Sequence, residues 1–233
     1  MNNLVKMTRA EYTTAKANRT LVCPNVALIS DENGHCEFLP NNPTSDIGIA
    51  ALENGQRTFY SLAEWNALET KPTALGTYVF TSDTQFILHG TIGSSLKYLD
   101  TTTVAVEGVT TTTSSASALQ DFAGAANTQA LLDAVTAGII TNAQAASWAS
   151  GLTLADNAGC YLLAAGQVEL VSLNLEAINN CRAALGQSEI VFTGKYIWSS
   201  TQYNASYAWG WYTSYWNSLG KNGSYLALAG AAL

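Results

Sequence analysis

YIWSSTQYNASYAWGWYTSYWNSLGKNGSY, residues Tyr196 to Tyr225, holds four of the chain's six Trp and six of its eleven Tyr. Between the rings sit Ser, Thr, Asn, Gln, Gly, Ala, Ile and Leu, with one cation, Lys221. No Asp or Glu follows Glu189, and Lys195 is the only other charged residue after it. This is the composition of a paratope, in which rigid amphipathic rings give contact area and small polar side chains give adaptable hydrogen bonds. A surface so poor in charge is expected to recognise its ligand with little dependence on salt. Tyr207, Trp209 and Trp211 alternate with Gly210, Tyr212 and Ser214, as in a strand with one packed and one open face.

The rest of the chain reads as a scaffold for that surface. Its 233 residues suit one large domain with a small N-terminal module, enough for a substantial core. A formal charge of −7, with only 12% charged residues and no basic cluster, argues against nucleic acid as a partner. No run of about 18 apolar residues is present, so no membrane insertion by a helix is expected. The N-terminal stretch has no apolar core of signal-peptide length. Cys23, Cys36, Cys160 and Cys181 lack metal-type spacing and read as reduced, buried thiols, although Cys160 and Cys181 are a possible pair in an oxidising setting.

Taken in order, Thr8 and Glu11 form a capping-box pattern that opens a short helix to about Asn18. A hairpin around Asn33-Gly34 and a linker at Pro40–Pro43 follow, which makes residues 1–43 a helix-plus-hairpin attachment or oligomerisation module. Residues 44–126 are β-rich. They hold a hairpin turning at Asn54-Gly55, a helix capped by Ser61 and Glu64, two strands joined at Ser82-Asp83, and a Thr-rich run from Thr101 to Ala118 read as extended with a turn at Glu107-Gly108. From Asn127, taken as an N-cap, helices run to Val135, over Thr141–Trp148 and from Asn174 to Leu185. A strand or turn leads from Cys160 into a short helix ending near Leu173. Strands are then expected at Ile190–Phe192, Tyr196–Ser199, about Tyr207–Thr213 and Tyr225–Leu233, with the turn before the last at Leu219–Gly223.

Two helices, then Trp198-Ser199-Ser200-Thr201-Gln202 and Ala208-Trp209 in an aromatic meander, resemble the C-type-lectin-fold variable proteins of diversity-generating retroelements and related WSST-containing lectin-like domains. The likeness covers about residues 127–233, extends in outline over 46–126, and is only general before Pro43. It implies an α+β, C-type-lectin-like fold with two main helices and a C-terminal antiparallel strand meander, the variable region lying at about 196–225. In that family adenine-directed copying scatters NNC codons, which encode Tyr, Ser, Gly, Asn, Leu or Thr but never Trp or Lys. The resemblance therefore makes Trp198, Trp209, Trp211, Trp216 and Lys221 fixed scaffold. It makes Tyr207, Gly210, Tyr212, Ser214, Tyr215, Asn217, Ser218, Leu219, Gly220, Asn222 and Gly223 the solvent-facing, ligand-binding positions. The small apolar end LALAGAAL departs from relatives that place a polar residue there, which leaves the final strand's partner open.

A calcium-dependent sugar site is not expected, because calcium needs several oxygen ligands, carboxylates among them, and the aromatic stretch has none. No metal or cofactor is expected elsewhere. Catalysis has no motif to carry it: His35 and His89 sit in hairpin contexts, and GxSxG, HExxH, P-loop and GxGxxG patterns are absent. The expectation is a non-enzymatic, hypervariable receptor-binding protein, or adhesin, at a phage tail-fibre tip, part of a virion assembled in the host cytoplasm. Its partners would be a host cell-surface protein or glycan and other virion tail proteins, with a homo-oligomer, a trimer by analogy. The alternatives are a structural tail or baseplate protein that uses the domain for subunit contacts, and a bacterial surface or pilus-tip adhesin.

Overall fold

The computed structural model describes residues 4–7, 26–30, 36–40, 46–81, 83–100, 103–212 and 215–233. The helix expected over Thr8–Asn18, the Asn33-Gly34 turn, most of the Pro40–Pro43 linker, Ser82 and Ser214 lie outside them. The chain divides into two units, one of residues 1–46 with 80–84, the other of 47–79 with 85–233.

In the first unit β1 (Leu4–Met7) runs parallel to β2 (Val26–Ser30), and β2 pairs antiparallel with β3 (Cys36–Pro40). The expected hairpin is therefore present, with a third strand added to it.

The second unit is mixed α+β, built on one large sheet. Its first strands are β4 (Asp46–Glu53) and β5 (Gln56–Tyr60), joined at Asn54-Gly55 with φ of 50° and 80°. Asn and Gly tolerate that left-handed backbone, which matches the strand twist of a two-residue hairpin. Helix α1 (Leu62–Ala67) carries the full capping box: Ser61 accepts from Glu64 N–H, and the Glu64 carboxylate accepts from Ser61 N–H. Then come β6 (Thr73–Phe80) and the long β7 (Gln85–Lys97).

The Thr-rich run, described from Thr103, is not a strand. It is ordered but irregular, turns at Glu107-Gly108 with Gly108 at φ 83°, and ends in the short helix α2 (Ser115–Ala118). Its one bridge, Thr111 beside Gln202, lies where its backbone meets the sheet. β-branched composition favours extended chain but cannot supply a ladder partner.

Helix α3 (Gly124–Thr136) begins one turn before the expected N-cap, so Asn127 sits inside its first turn and turns its side chain to tertiary work. Helix α4 (Gln144–Ser150), strand β8 (Cys160–Leu162), helix α5 (Ala165–Leu173) and helix α6 (Leu175–Ala184) follow. Asn174 ends one helix and begins the next, but its amide donates back to the Leu170 carbonyl rather than capping α6. Ile190–Phe192, expected as a strand, forms none; Ile190 and Phe192 are buried in the core as irregular chain.

The last four strands are β9 (Tyr196–Gln202), β10 (Tyr207–Tyr212), β11 (Tyr215–Gly220) and β12 (Ser224–Ala232). The sheet order is β11-β10-β9-β12-β7-β6-β4-β5, with β8 also pairing β12. Strands β9, β10 and β11 form an antiparallel meander, but β12 departs from it, crossing to run parallel to β9 and antiparallel to β7. The expected turn at Leu219–Gly223 begins later, since β11 continues through Gly220. Segments 44–126 and 127–233 thus share one sheet. Its main core gathers Phe86, Leu88, Leu163, Val168, Val171 and Ile178 beneath β7, β12 and helices α5 and α6. Among the described residues the helices number six and none is long and apolar enough to cross a membrane.

Candidate functional site

The WSSTQ strand is buried from Ile197 to Gln202 although four of its residues are polar. Buried hydroxyls and amides need partners, and here each has one. The Ser199 hydroxyl donates to the Trp209 carbonyl at 2.8 Å, and Ser200 Oγ accepts from Asn127 Nδ2 at 3.2 Å. Thr201 Oγ1 donates to Asp121 Oδ2 at 2.6 Å and accepts from Ala165 N–H at 2.9 Å. Asp121 also takes Asn127 Nδ2 at 2.9 Å, so one buried carboxylate ties α3, β9 and the Thr-rich run together. Gln202 exchanges bonds with the Val106 backbone at 3.1 and 2.9 Å.

Lys221 completes this network. It is fully buried, and its Nζ donates to the Val104 carbonyl at 2.7 Å and to Gln202 Oε1 at 2.6 Å, with the Tyr98 ring 5.6 Å away. No carboxylate is among those partners, and burial lowers its pKa to about 8. The Tyr98 hydroxyl, which donates to the Ser200 carbonyl, is pushed well up by burial and then by the Asp121 charge.

The register of β9, β10 and β11 sorts the aromatic residues onto two faces. On one face lie Tyr207, Trp209 and Trp211 of β10 opposite Gly220, Ser218 and Trp216 of β11. Helix α5 covers this face: Trp209 packs on Ala118 and Ala165, and Trp211 meets Phe192 and Trp216 edge to face. The indoles also staple neighbours, with Trp209 Nε1 on the Thr112 carbonyl and Trp216 Nε1 on Glu169 Oε2, each at 2.8 Å. Trp211 Nε1 is buried without a partner.

On the other face Tyr212 pairs with Tyr196 of β9 and Tyr215 of β11. The Tyr196 and Tyr212 rings stack at 4.1 Å, Tyr225 joins Tyr196 at 5.0 Å, and Tyr215 meets Tyr212 edge-on at 5.6 Å. Tyr215 is 51% exposed; Tyr196, Tyr212 and Tyr225 are half-buried. No hydrogen bond holds any of the four hydroxyls among the described residues. The Tyr196 phenol is raised, by desolvation first and then by the charges of Tyr212, Tyr215 and Tyr225, which marks how closely the four gather.

Trp198, Trp209, Trp211 and Lys221 are buried and Trp216 is half-buried. Tyr215 and Asn222 are exposed, and Tyr212, Asn217, Ser218, Gly220 and Gly223 are half-buried. Two of the positions expected to face solvent do not. Gly210 lies beneath Leu219, whose side chain and the Ile197 carbonyl occupy the space of a Cβ there. Leu219 is itself only 5% exposed, because it fills the hollow the glycine leaves beside Trp198. Tyr207 is 43% exposed but belongs to the indole face, where it overhangs Tyr203, and so stands apart from Tyr212 and Tyr215. Tyr196 and Tyr225 complete the phenol cluster and were not among the expected positions. Only strand register, pairing Tyr196 with Tyr212, brings them in.

His89 accepts from Thr91 N–H at 3.0 Å, and burial lowers its pKa. Arg182 is buried without a carboxylate and donates to the carbonyls of Ser188, His89 and Gly90, an anchor of α6 to β7. Cys160 and Cys181 are both free and buried, and burial pushes each thiol to about 11. Cys23 lies outside the described residues, and Cys36 falls in β3.

No protein-family model, curated protein or solved structure matches this chain.

Proposed function

We propose that this chain is a non-enzymatic receptor-binding protein, an adhesin that meets a cell-surface ligand with the phenol end of a C-type-lectin-like domain. The observation that carries the reading is the contrast within one sheet. All four indoles are packed and three of them are hydrogen-bonded, with Trp209, Trp211 and Trp216 on the covered face. Trp198 is buried on the other, where four phenols gather with hydroxyls that no bond holds among the described residues. Tyrosines so placed offer contact area at low entropic cost and a polar tip for a ligand. Diversification by a retroelement fits such a face, since replacing Tyr212, Tyr215 or Asn217 leaves the indoles and the WSSTQ network untouched. The setting proposed is a phage tail-fibre tip, where several copies engaging one cell surface gain avidity from weak single contacts.

Replacing Tyr212 and Tyr215 together by Ala is expected to abolish attachment of a multimerised chain to a susceptible bacterium while lowering the melting temperature by only a few degrees, since the Tyr196–Tyr212 stack is lost but the indoles stay packed. Attachment is expected to persist in a chelator, since the aromatic stretch has no carboxylate to hold calcium. Trp209→Ala serves as the opposite control and is expected to destabilise the fold by roughly 3–5 kcal/mol. Undiminished attachment by the double Tyr variant would end the proposal. A reverse-transcriptase gene beside a near-copy of this coding region, differing at adenines, would support diversification independently.

A further inference from the structure

Strand β11 is the last strand of the sheet on the aromatic side, and nothing among the described residues pairs with its outer edge. The phase of its ladder follows from one bond, Lys221 N–H to the Ser206 carbonyl at 3.1 Å. Pairs related to it by two residues, 208/219, 210/217 and 212/215, are then the hydrogen-bonded ones. The backbone N–H and C=O groups of Trp216, Ser218 and Gly220 therefore point away from β10. Among the described residues only the Gly220 carbonyl of these is otherwise engaged, by Gly223 N–H at 2.8 Å.

Sheet edges are usually blunted by charged side chains, proline or a bulge. Tyr215–Gly220 has no charged residue and no proline, and its pairing with β10 is regular. The opposite edge, β5, carries Arg57, whose guanidinium bonds Asp156 at 2.6 Å. The aromatic edge is a bare template for one more strand.

We propose that the ligand recognised at this face is a protein, bound through an extended, uncharged segment that adds to the sheet along β11. This rests on the receptor-binding reading above and gives its ligand a chemical class. Unpaired N–H and C=O groups offered together at every second residue, about 6.8 Å apart, match the repeat of a polypeptide strand. A docked strand would alternate its side chains between the Tyr215 and Asn217 side and the Trp216 and Ser218 side. Backbone bonds would supply affinity that survives changes at the tyrosine face, and side chains would supply selectivity. Tyr215, 51% exposed, lies on β11 itself, so a strand added at this edge meets the phenol face that the receptor-binding reading uses. A second copy of the chain is the competing occupant, which sedimentation identifies.

The test is selection of binders to the whole chain from a displayed library of uncharged peptides of about ten residues. Ser218→Pro removes one outward N–H without touching the ladder to β10, a position where an edge strand accepts proline. Selected peptides are expected to lose about tenfold or more in affinity for Ser218→Pro and to keep it for Ser218→Ala, which retains the N–H. N-methylation of alternate peptide amides should abolish binding in one phase and spare it in the other, a readout that holds even if the proline variant unfolds. A library without binders, or binders indifferent to both changes, overturns the proposal. So does a dimer in sedimentation that Ser218→Pro dissolves, since a second copy then owns the edge. If cell attachment needs Tyr212 and Tyr215 but ignores Ser218→Pro and Trp216–Gly220 altogether, this inference fails and the receptor-binding reading stands. Attachment indifferent to the tyrosines fails the receptor-binding reading itself.

Discussion

Lys221 is the residue whose chemistry departs furthest from its surroundings, a cation enclosed with two oxygen acceptors and no counter-ion. A neutral amine still has two N–H groups, enough for Val104 and Gln202, so deprotonation leaves both bonds in place and removes a buried charge. With a folded pKa of about 8 against 10.5 for the free side chain, the folded state loses its proton first. The unfolded chain binds more protons between those values, so stability rises with pH through that window and is level below it as far as this group is concerned. Urea unfolding of the native chain and of Lys221→Met, compared from pH 7 to 11, is expected to show the native chain gaining relative to the variant between about pH 8 and 10.5. A constant difference would mean that water or an unseen anion reaches the ammonium. Gly210 makes the complementary point about legibility. From the sequence a glycine between two tryptophans reads as a variable surface position, but its small size makes room for Leu219, and only register shows that the two share a hollow.

Among the elements, the ones fixed by local chemistry were legible. The Asn54-Gly55 hairpin and the Ser61–Glu64 capping box are both set by neighbours in sequence. Elements that depend on distant partners were not. Strand β11 contains Asn, Ser and Gly, poor strand formers, and is extended because β10 pairs with it along its whole length. The Thr-rich run failed in the other direction, having strand composition but no free ladder to join. The WSSTQ strand is the element on which both depend, since its polar side chains bond α3, the start of α5 and the Thr-rich run. Thr201→Val keeps the shape but strands Ala165 N–H and takes a donor from Asp121. It is expected to lower unfolding free energy by about 2–3 kcal/mol, with Thr201→Ser recovering most of the loss. Equal midpoints for Val and the native residue in denaturant titration would show that the hydroxyl contributes packing alone.

At the scale of the molecule, the meander is held in place by a strand that does not belong to it. Strand β12 lies between β9 and β7 and pairs with β8 as well, so it joins the aromatic meander to the strands from the first half of the chain. This is the physical reason for the small apolar run LALAGAAL, whose partner the sequence left open. Ala227, Ala229 and Ala231 are fully buried, and a Cβ on Gly230 would press on Leu163 and Phe86. A strand covered on both faces admits little more than alanine there. Its partners on β7 lie more than a hundred residues earlier in the chain, a pairing that closes late because the loop entropy must be met first. The fold is therefore expected to form only once β12 is available. A chain ending at Gly223 should retain helical circular dichroism in part but lose its near-ultraviolet aromatic signal and its cooperative urea transition. If the shortened chain still unfolds cooperatively, the meander is stable by itself, and β12 is a cover for the sheet rather than the strand that unites its halves.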